Sequence, residues 1–369
     1  MEGFKLRKIK ILFIVPSMRG GGAERVISTL LQHIDKNKFD LNLALITKEG
    51  KFLDDIPTHV NLIDLDAKRV RNSIFKIIKT INSLKPDIVF STLGHLNLLI
   101  SIIRPFLSKK IVFIGRESNT VSVINKQSKY PKLFDFLYNN FYNNFDHIVA
   151  QAEYMKKDLV ENYNIKSEKI TVINNPIDFE NIKKLSNIPS KELFDKAKIN
   201  LLAVGRLSHQ KGFDTLLEIM KELDEEYFLT ILGQGPDEEK LKIIIKEFSL
   251  ESKVRLLGFQ NNPYIYMKQA DIFVLSSRFE GLPNVVLEAN ACETTVIAFD
   301  CPGGTNEIII DGENGYLAKC QNKNDFIKKL KEISLEKKIN QTILDKYEVS
   351  YIVKMYEQLF KSTLKEKNK

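Results

Sequence analysis

Cysteine and long apolar runs are both scarce in this chain of 369 residues. The three cysteines, Cys292, Cys301 and Cys320, show no metal-ligand spacing, and their odd number argues against a disulfide framework. The apolar run from Ile9 to Pro16 is far shorter than the about 18 residues that a membrane-spanning helix needs. We therefore expect buried or inert thiols in a reducing cytoplasm and no membrane-spanning segment.

Acidic residues are under-represented in the first half of the chain. Residues 1–177 contain 27 Lys and Arg against 17 Asp and Glu, a balance of +10, whereas the remainder contains 28 against 30, a balance of −2. A basic half attracts phosphate-bearing partners, nucleic acid or an anionic membrane surface. A lysine-rich surface that only keeps the protein soluble explains the same numbers, so charge alone leaves these alternatives open.

Strand-like apolar runs alternate with segments of helical periodicity along the chain, which predicts crossover units on parallel sheets. The first series of runs lies at 9–15, 41–47, 60–65, 87–91, 111–114, 147–150 and 170–173, and the second at 199–204, 228–232, 254–257, 272–275, 295–299 and 315–318. The polar stretch between them, from Asn175 to about Ala197, is predicted as a linker. We predict two α/β domains at 1–177 and 178–348, followed by an amphipathic helix at about 349–363.

Two glutamates flank a Gly-x-Pro turn within residues 278–290, directly after a strand-like run. Gly281 lets the backbone approach a ligand closely, and Pro283 suits the first position of a helix whose N–H groups form an anion site. This arrangement predicts that Glu280 lies in the turn beside a ligand and that Glu288 lies on the second helical turn, with a different role. Two solvated acids at a strand–helix junction are the alternative.

Two cations, Arg206 and Lys211, follow the buried-strand run Leu201–Val204. Together they suit a diphosphate, because an arginine grips phosphate oxygens in a bidentate fork and a lysine acts as a flexible point charge. Ordinary surface charges are the alternative interpretation, and the neighbouring Glu280 turn weakens it.

Several short segments occur in an order and spacing that resemble the donor half of glycosyltransferase family four. The matching segments are Gly205-Arg206-Leu207, Gln210-Lys211-Gly212, Gly233-Gln234-Gly235-Pro236, Gly258-Phe259, Phe279 through Glu288, and Asp311 to Gly315. In the first half, Gly20 to Arg25 is similar to the family's glycine-rich loop after the first strand. The resemblance implies a retaining enzyme of GT-B architecture, in which two facing, doubly wound Rossmann-like domains form a cleft. In it, 1–177 would be the acceptor-side domain and 178–348 the donor-binding domain, and the terminal helix at about 349–363 would pack back on the first.

The resemblance also implies roles for individual residues. Glu280 would contact the donor sugar, while Arg206 and Lys211 would stabilise the leaving diphosphate. Glu288 would accept hydrogen bonds from the ribose hydroxyls. The other implied donor-binding residues are Gly21, Gly22, Gly258, Phe259, Gly281, Leu282, Pro283 and Asn284. No general base is assigned, because the family picture is front-face attack in which the leaving phosphate accepts the acceptor's proton.

The first half departs from the family pattern where many members carry a sugar-positioning histidine. The segment Gly115 to Thr120 stands at that place. Arg116 or Glu117 is left to contact the sugar or acceptor there, or the two pair with each other. His95, at the start of a predicted helix, is either a further contact or a packed or capping residue.

An Asp-x-Asp pair, which metal-dependent sugar transferases commonly use, is missing from the donor strand ends. Asp64-Leu65-Asp66 follows a strand of the first half instead. Arg206, Lys211 and the helix start after Glu280 can supply positive charge without a metal. We therefore expect no metal and no cofactor beside the UDP-sugar co-substrate.

The leading hypothesis is transfer from a UDP-sugar to a bacterial glycan acceptor carried on polyprenyl diphosphate. The sugar is predicted to be a hexose or N-acetylhexosamine, with N-acetylgalactosamine weakly favoured, and Cys301 to Glu307 resembles a segment of surface-polysaccharide and glycan-assembly members. A nicotinamide-dependent oxidoreductase is the alternative, disfavoured because Gly20 to Gly22 lack the G-x-G-x-x-G spacing. A nucleic-acid-binding protein is disfavoured because the lysines are dispersed.

A basic and aromatic segment at residues 126–145 bears on location. Lys126, Lys129 and Lys132 accompany a stripe of aromatic and apolar residues, which is typical of a helix lying on an anionic membrane surface. A buried core stripe is the alternative. We predict a cytoplasmic protein that is peripheral on the inner face of the cell membrane.

Overall fold

The computed structural model describes residues 7–334 and 344–367. The chain divides into two compact units, an amino unit of Met1–Pro176 with Val349–Lys369, and a carboxyl unit of Ile177–Glu348. The division falls one residue before the predicted boundary after residue 177.

The amino unit is built on a seven-stranded parallel sheet in the order β3-β2-β1-β4-β5-β6-β7. Its strands are β1 (Ile9–Val15), β2 (Phe39–Leu45), β3 (Asn61–Asp64), β4 (Ile88–Thr92), β5 (Val112–Arg116), β6 (His147–Ala150) and β7 (Ile170–Val172). The central strands are nearly continuous apolar runs because helices cover both faces of such a sheet. The chain order reverses between β1 and β4, and open α/β sheets bind ligands beyond the carboxyl ends of strands at such a point.

The helices of the amino unit pack their apolar faces on this sheet. They are α1 (Gly22–His33), α2 (Ile74–Leu84), α3 (Gly94–Ile103), α4 (Val121–Lys126), α5 (Pro131–Phe141), α6 (Glu153–Tyr163) and, from the end of the chain, α14 (Val349–Lys367). Helix α14 belongs to the same core as β1 and β4. Its Phe360 ring lies 6.4 Å from that of Phe13, and its Tyr356 ring lies 5.9 Å from that of Phe90.

The carboxyl unit is built on a six-stranded parallel sheet in the order β10-β9-β8-β11-β12-β13. Its strands are β8 (Ile199–Val204), β9 (Tyr227–Leu232), β10 (Val254–Leu256), β11 (Ile272–Leu275), β12 (Thr295–Asp300) and β13 (Tyr316–Lys319). Its helices are α7 (Phe179–Ser186), α8 (Phe213–Glu222), α9 (Glu238–Glu247), α10 (Tyr264–Gln269), α11 (Asn284–Ala291), α12 (Thr305–Ile308) and α13 (Lys323–Glu332). The prediction of two parallel α/β sheets is confirmed.

Two local predictions, on the linker and on Pro283, need correction. The predicted linker contains α7, which begins because the Asp178 side chain accepts a hydrogen bond from the Asn181 N–H and caps the helix. Pro283 is the residue before α11 rather than its first residue. Of the three cysteines, expected to be buried or inert, Cys292 and Cys301 are buried and Cys320 is exposed, so for Cys320 only the second alternative stays open.

The structure also bears on membrane spanning. Among the described residues, no helix combines the length and the apolar character that crossing a membrane requires.

Candidate active site

The loops that follow the strands of the second sheet meet at one edge, because the strands are parallel. The contact between two of these loops is very close. A Cβ atom at Gly233, which follows β9, would lie 1.9 Å from the carbonyl oxygen of Gly205, which follows β8. The Gly233 N–H donates to the carbonyl of Gly258, after β10, at 2.8 Å. The glycines of the family motifs therefore allow three loops to assemble side by side.

The buried carboxylate of Glu280 is the centre of this edge. Glu280 is 5% exposed, and its Oε1 lies 2.6 Å from the Lys211 Nζ. The Ser277 hydroxyl donates to the same oxygen at 2.6 Å. These contacts contradict two alternative interpretations of the sequence, because Glu280 is not a solvated acid and Lys211 is not an ordinary surface charge.

Backbone hydrogen bonds fix the turn that carries Glu280. The Glu280 N–H donates to the carbonyl of Pro302 at 2.9 Å, and the Gly304 N–H donates to the carbonyl of Gly281 at 2.7 Å. Gly303 has φ of +132°, and a Cβ atom there would lie 2.2 Å from the Glu280 carbonyl oxygen. The loop after β12 thus clamps the Glu280 turn, which explains why that loop needs glycine.

The second predicted cation has a different environment. The Arg206 side chain is exposed and enters no ion pair with the residues that the structure describes. Lys211, in the same loop, is held by the Ser276 hydroxyl, which donates to the Lys211 carbonyl at 2.9 Å. The loop therefore presents one cation already engaged by a carboxylate and one that faces solvent.

The remaining donor-binding candidates lie on neighbouring segments of this edge. Glu288 is 3% exposed and lies on the second turn of α11, as predicted. Phe259 is 43% exposed and follows Gly258, which adopts a left-handed conformation with φ of +67°. Within the turn, Gly281, Leu282 and Pro283 are buried and Asn284 is half-buried. The ligand contacts of all these residues stay predictions.

The glycine-rich loop of the amino unit is exposed at the start of α1. Gly21 is the residue before the helix and Gly22 is its first residue. A Cβ atom at Gly21 would lie 2.5 Å from a carboxylate oxygen of Glu24. The Glu24 side chain therefore folds back to the helix start, where its charge interacts favourably with the helix dipole. Donor contacts of Gly21 and Gly22 stay predictions.

Arg116 lies in the core of the amino unit and is fully buried. Its guanidinium donates to Asn175 Oδ1 at 2.6 Å, to the Tyr356 hydroxyl at 3.2 Å and to the Thr92 hydroxyl at 3.3 Å. In this arrangement the side chain connects β5, β4 and α14, and it is not available to a ligand. The structure therefore does not support the expected contact of Arg116 with a sugar or an acceptor.

Glu117 does not pair with Arg116 among the described residues. Its Oε1 accepts hydrogen bonds from the Asn97 amide at 3.1 Å and from the Tyr142 hydroxyl. The carboxyl is 2% exposed, and burial raises its pKa to about 7 although the Asn97 hydrogen bond and the Arg116 charge act in the other direction. Sequence reasoning missed Asn97 and Tyr142 because neither belongs to a motif.

His95 is the second residue of α3 and is exposed. Its ring centroid lies 5.6 Å from that of Phe134 on α5. The contact with Phe134 agrees with the interpretation of His95 as a packed residue. Because the side chain is otherwise exposed, the predicted ligand contact stays open.

Within residues 7–334 and 344–367, no group of three or more His, Cys, Asp or Glu side chains could hold a metal ion.

Comparison with models of protein families shows to which family the chain belongs. Residues 20–181 match the model described as Glycosyltransferase Family 4, and residues 186–347 match the model described as Glycosyl transferases group 1. The chain belongs to glycosyltransferase family 4. This family-4 enzyme is therefore a glycosyltransferase, and the hypotheses of a nicotinamide-dependent oxidoreductase and a nucleic-acid-binding protein lose their support.

Two curated relatives cover most of this family-4 chain. One is the N-acetylgalactosamine-N,N'-diacetylbacillosaminyl-diphospho-undecaprenol 4-alpha-N-acetylgalactosaminyltransferase of Campylobacter jejuni, 32% identical over 91% of this chain and 93% of the relative. Another is the amylovoran biosynthesis glycosyltransferase AmsD of Erwinia amylovora, 24% identical over 88% of this chain and 90% of the relative.

Solved structures share the fold. Anabaena HepE in complex with UDP-glucose has a TM-score of 0.79 at 18% identity, covering 96% of this chain and 100% of that one. The lipopolysaccharide outer core galactosyltransferase WaaB has a TM-score of 0.73 at 23% identity, covering 96% of this chain and 99% of that one. At these identities the likeness establishes the fold alone, which is the predicted GT-B fold.

Proposed function

We propose that this enzyme transfers a hexose or N-acetylhexosamine from a UDP-sugar, with retention of anomeric configuration, to a glycan carried on polyprenyl diphosphate. The observation that carries the proposal is the Glu280–Lys211 pair at the carboxyl edge of the second sheet, with the exposed Arg206 in the same loop. The Campylobacter relative, which acts on an undecaprenol-diphospho acceptor, supports the acceptor class and N-acetylgalactosamine as the sugar.

The chemistry requires charge stabilisation at the leaving group. As the bond to the anomeric carbon breaks, negative charge develops on the diphosphate, and cations placed beforehand stabilise it without reorganisation. Arg206 supplies a bidentate donor from the solvent side, and Lys211 supplies an ammonium from the buried side. Glu280 is fixed by its backbone and by Ser277, and in the proposal it would contact the sugar.

Glu288 and the segment Gly258-Phe259 complete the proposed donor site. Glu288 would accept the ribose hydroxyls from its place on α11, and backbone groups at Gly258 would hold the base beside Phe259. No residue is proposed as a general base, since the leaving phosphate itself takes the proton of the acceptor hydroxyl in front-face attack.

The test is a donor screen. The enzyme is incubated with a synthetic polyprenyl-diphosphate N-acetylgalactosaminide and, in turn, UDP-N-acetylgalactosamine, UDP-N-acetylglucosamine, UDP-galactose or UDP-glucose. We expect transfer from at least one, an α-linked product by proton NMR, and the same rate after EDTA treatment. No transfer from any of the four UDP-sugars, or a β-linked product, would contradict the proposal. Loss of activity in EDTA that Mg²⁺ restores would contradict its metal-free part.

The acceptor class implies a membrane surface, and α5 provides one candidate for contact. Tyr130, Leu133 and Phe136, which we call the membrane face, are 55%, 52% and 59% exposed. Tyr138 and Tyr142 of the same segment are buried, with ring centroids 4.6 Å apart. The predicted stripe is thus divided, one part in the core and one part at the surface.

Charge supports an anionic lipid as the partner of the membrane face. Lys126, Lys129 and Lys132 are exposed around it. Basic residues near such a surface contribute about 1 kcal/mol each, and salt screens this attraction. We therefore propose reversible, peripheral binding of the amino unit to the membrane.

Vesicle co-sedimentation tests this part separately. Binding to phosphatidylglycerol vesicles should fall as salt rises, and should fall again when Lys126, Lys129 and Lys132 are replaced by glutamate. The matched control replaces Lys183, Lys184 and Lys191, which are exposed lysines of the carboxyl unit, and should bind as the wild type does. Equal loss in both triple variants, or no binding at low salt, would contradict the membrane proposal.

A further inference from the structure

Two segments of the carboxyl unit bring the charged groups of the proposed donor site together. The cation loop, which we define as residues 205–212 after β8, carries Arg206 and Lys211. The Glu280 turn, residues 276–283 after β11, carries the carboxylate that lies 2.6 Å from the Lys211 ammonium. Because the two segments follow different strands, the distance between ammonium and carboxylate depends on the contacts that join the segments.

Arg278 joins the two segments from the side of the Glu280 turn. Its backbone N–H donates to the carbonyl of Gln210 at 2.8 Å, and its Nη1 donates to the carbonyl of His209 at 2.8 Å. The two accepting residues directly precede Lys211 in the chain, and Arg278 lies two residues before Glu280. Arg278 therefore connects the backbone next to the ammonium with the backbone next to the carboxylate.

The same guanidinium also contacts the start of α8. Nη1 lies 2.9 Å from Asp214 Oδ1, and Nη2 donates to the Thr215 hydroxyl at 3.2 Å. A guanidinium presents its N–H groups in a rigid planar fork, so several partners fix its orientation as well as its position. His209, Asp214 and Thr215 therefore hold Arg278 from points on both sides of Lys211 in the sequence.

The ion pair between Arg278 and Asp214 is partly shielded from water. The two side chains are 22% and 21% exposed. Burial acts to raise the pKa of Asp214, but hydrogen bonds from Arg278 and Lys240 outweigh it and hold the pKa well below its usual range. Lys240, on α9, binds the other oxygen, Oδ2, at 2.9 Å. The carboxylate of Asp214 is therefore ionised near neutral pH and attracts two cations.

Close backbone contacts limit movement around Arg278. Gly212 has φ of +63°, and a Cβ atom there would lie 2.2 Å from the Ser276 carbonyl oxygen and 3.6 Å from Arg278 Nη1. The Ser276 hydroxyl also donates to the Lys211 carbonyl at 2.9 Å. The two segments are thus in direct backbone contact, and the guanidinium lies beside that contact.

We propose that Arg278 is a positioning residue for sugar transfer, which holds the Lys211 ammonium at the Glu280 carboxylate. The inference rests on the proposed function, since it names a residue that sets the geometry of that site. Arg278 contacts neither donor nor acceptor, because protein atoms engage its guanidinium. A displacement of about 1 Å between catalytic groups costs on the order of 10²-fold in rate. Loss of Arg278 should therefore lower transfer although no group that contacts the substrate is removed.

The test compares Arg278→Ala with the matched control Lys240→Ala. Each variant removes one ion pair of Asp214, in both cases at 2.9 Å, but of these two side chains Arg278 is the one that also bonds to the cation loop. Arg278→Ala should lower the transfer rate at saturating donor about 10²-fold. Lys240→Ala should stay within about twofold of the wild type, because an exposed ion pair contributes little.

The conservative variant Arg278→Lys separates charge from geometry. It keeps a positive charge beside Asp214 but lacks the planar fork that also reaches His209 and Thr215. Its transfer rate should lie between those of Arg278→Ala and the wild type.

Calorimetric titration with UDP on the same samples separates positioning from a loss of folded protein. A residue that only stabilises the fold would lower the number of UDP sites and the transfer rate in equal proportion. We expect a full number of sites in Arg278→Ala, and a transfer rate that falls by a much larger factor than the affinity for UDP. Equal proportional losses, or a rate in Arg278→Ala close to that of Lys240→Ala, would overturn the inference.

A second variant covers the case in which Arg278→Ala does not fold. Asp214→Asn keeps the shape of the side chain and removes its charge, so it should lower transfer by about tenfold. Combined with Arg278→Lys, it should lower the rate by less than the product of the two separate effects, because both changes weaken one contact. Independent effects of the two substitutions would overturn the inference.

Hydrogen exchange followed by mass spectrometry needs no turnover and separates this inference from the proposed function. In Arg278→Ala the amides of residues 205–212 and 276–283 should exchange about tenfold faster than in the wild type, while those of β1 keep their rates. If the exchange changes in this way but the wild type transfers no sugar from any UDP-sugar, the function fails and the role of Arg278 in joining the segments stands. If sugar is transferred but the exchange is unchanged, the inference fails and the function stands.

Discussion

The two units each bury a carboxyl group at the carboxyl edge of a parallel sheet, but they surround it differently. In the carboxyl unit, Glu280 faces the Lys211 ammonium at 2.6 Å. In the amino unit, Glu117 faces the neutral Tyr142 hydroxyl and Asn97 amide, and burial raises its pKa to about 7. An ammonium compensates a buried negative charge directly, whereas neutral donors do so only in part. The two buried carboxyl groups therefore differ in their electrostatic surroundings, an ammonium in one unit and neutral donors in the other.

The difference extends to the exposed groups nearby. The carboxyl site has the solvent-facing cation Arg206 in the loop of Lys211, whereas the amino site is bordered by the apolar membrane face on α5. A nucleotide-sugar from solution and an acceptor from a membrane would each meet a matching surface. The predictions below test this division, beginning with the largest expected effect.

Glu280→Gln should lower sugar transfer by roughly 10²- to 10³-fold, because a fixed negative group beside the reacting sugar is lost. UDP affinity should stay close to that of the wild type, since this carboxylate is assigned to the sugar. Initial rates and calorimetric UDP titration measure the two quantities. The control Glu247→Gln changes an exposed glutamate of α9 and should leave both unchanged. A large loss of UDP affinity would show that Glu280 binds the nucleotide part instead.

Lys211→Ala should destabilise the folded protein by about 3 kcal/mol, because it leaves the buried carboxylate of Glu280 without its cation. Arg206→Ala should change the free energy of unfolding by less than about 0.5 kcal/mol, since this side chain is exposed. Both should reduce donor turnover strongly. Urea unfolding of the two variants decides the point, and equal stability losses would remove the distinction between the two cations.

Glu117→Gln should change how stability depends on pH. The folded pKa of about 7 lies above the ordinary value of 4.5, so the native carboxyl holds a proton that the unfolded one releases. The resulting contribution to wild-type stability is complete below about pH 4.5 and is lost as pH rises towards 7. The variant lacks this loss, so its stability relative to the wild type should rise by about 3 kcal/mol between pH 5 and pH 8. If the free energies of unfolding of the wild type and the variant change equally with pH, the pKa of Glu117 is not raised in the folded protein.

Glu288→Ala should weaken UDP binding by roughly 1–3 kcal/mol, the cost of removing a charged hydrogen-bond partner. Its effect on transfer at saturating donor should be smaller than that of Glu280→Gln. Calorimetric titration with UDP measures the affinity, and rates at several donor concentrations separate affinity from turnover. If the substitution lowers turnover at saturating donor and leaves the affinity for UDP unchanged, the assignment of Glu288 to the ribose is wrong.

The sequence predicted the parallel sheets and the donor loops because both depend on local signals. Buried strands appear as apolar runs, such as Ile9–Val15, whose bounds agree with β1. Gly212, Gly233 and Gly303 adopt positive φ next to neighbouring backbone, and glycine is visible in a sequence wherever it occurs. The motif spacing around Lys211 and Glu280 was therefore sufficient to predict that they belong to one site.

The environment of Glu117 could not be predicted in this way. Its partners Asn97 and Tyr142 are 20 and 25 residues away in sequence and reach it from different elements. No periodicity distinguishes them from other polar core residues. Likewise, the aromatic stripe near α5 gave no sign of which rings would be buried, since that depends on the surfaces that α3 and α6 present.

The most direct test of the division between the two units is calorimetric titration of UDP into four proteins: the wild type, Arg206→Ala, Glu288→Ala and Glu117→Gln. UDP should bind the wild type and Glu117→Gln with equal affinity and should bind the other two variants more weakly. Failure of the wild type to bind UDP, or a loss of affinity in Glu117→Gln as large as that in Glu288→Ala, would contradict the account.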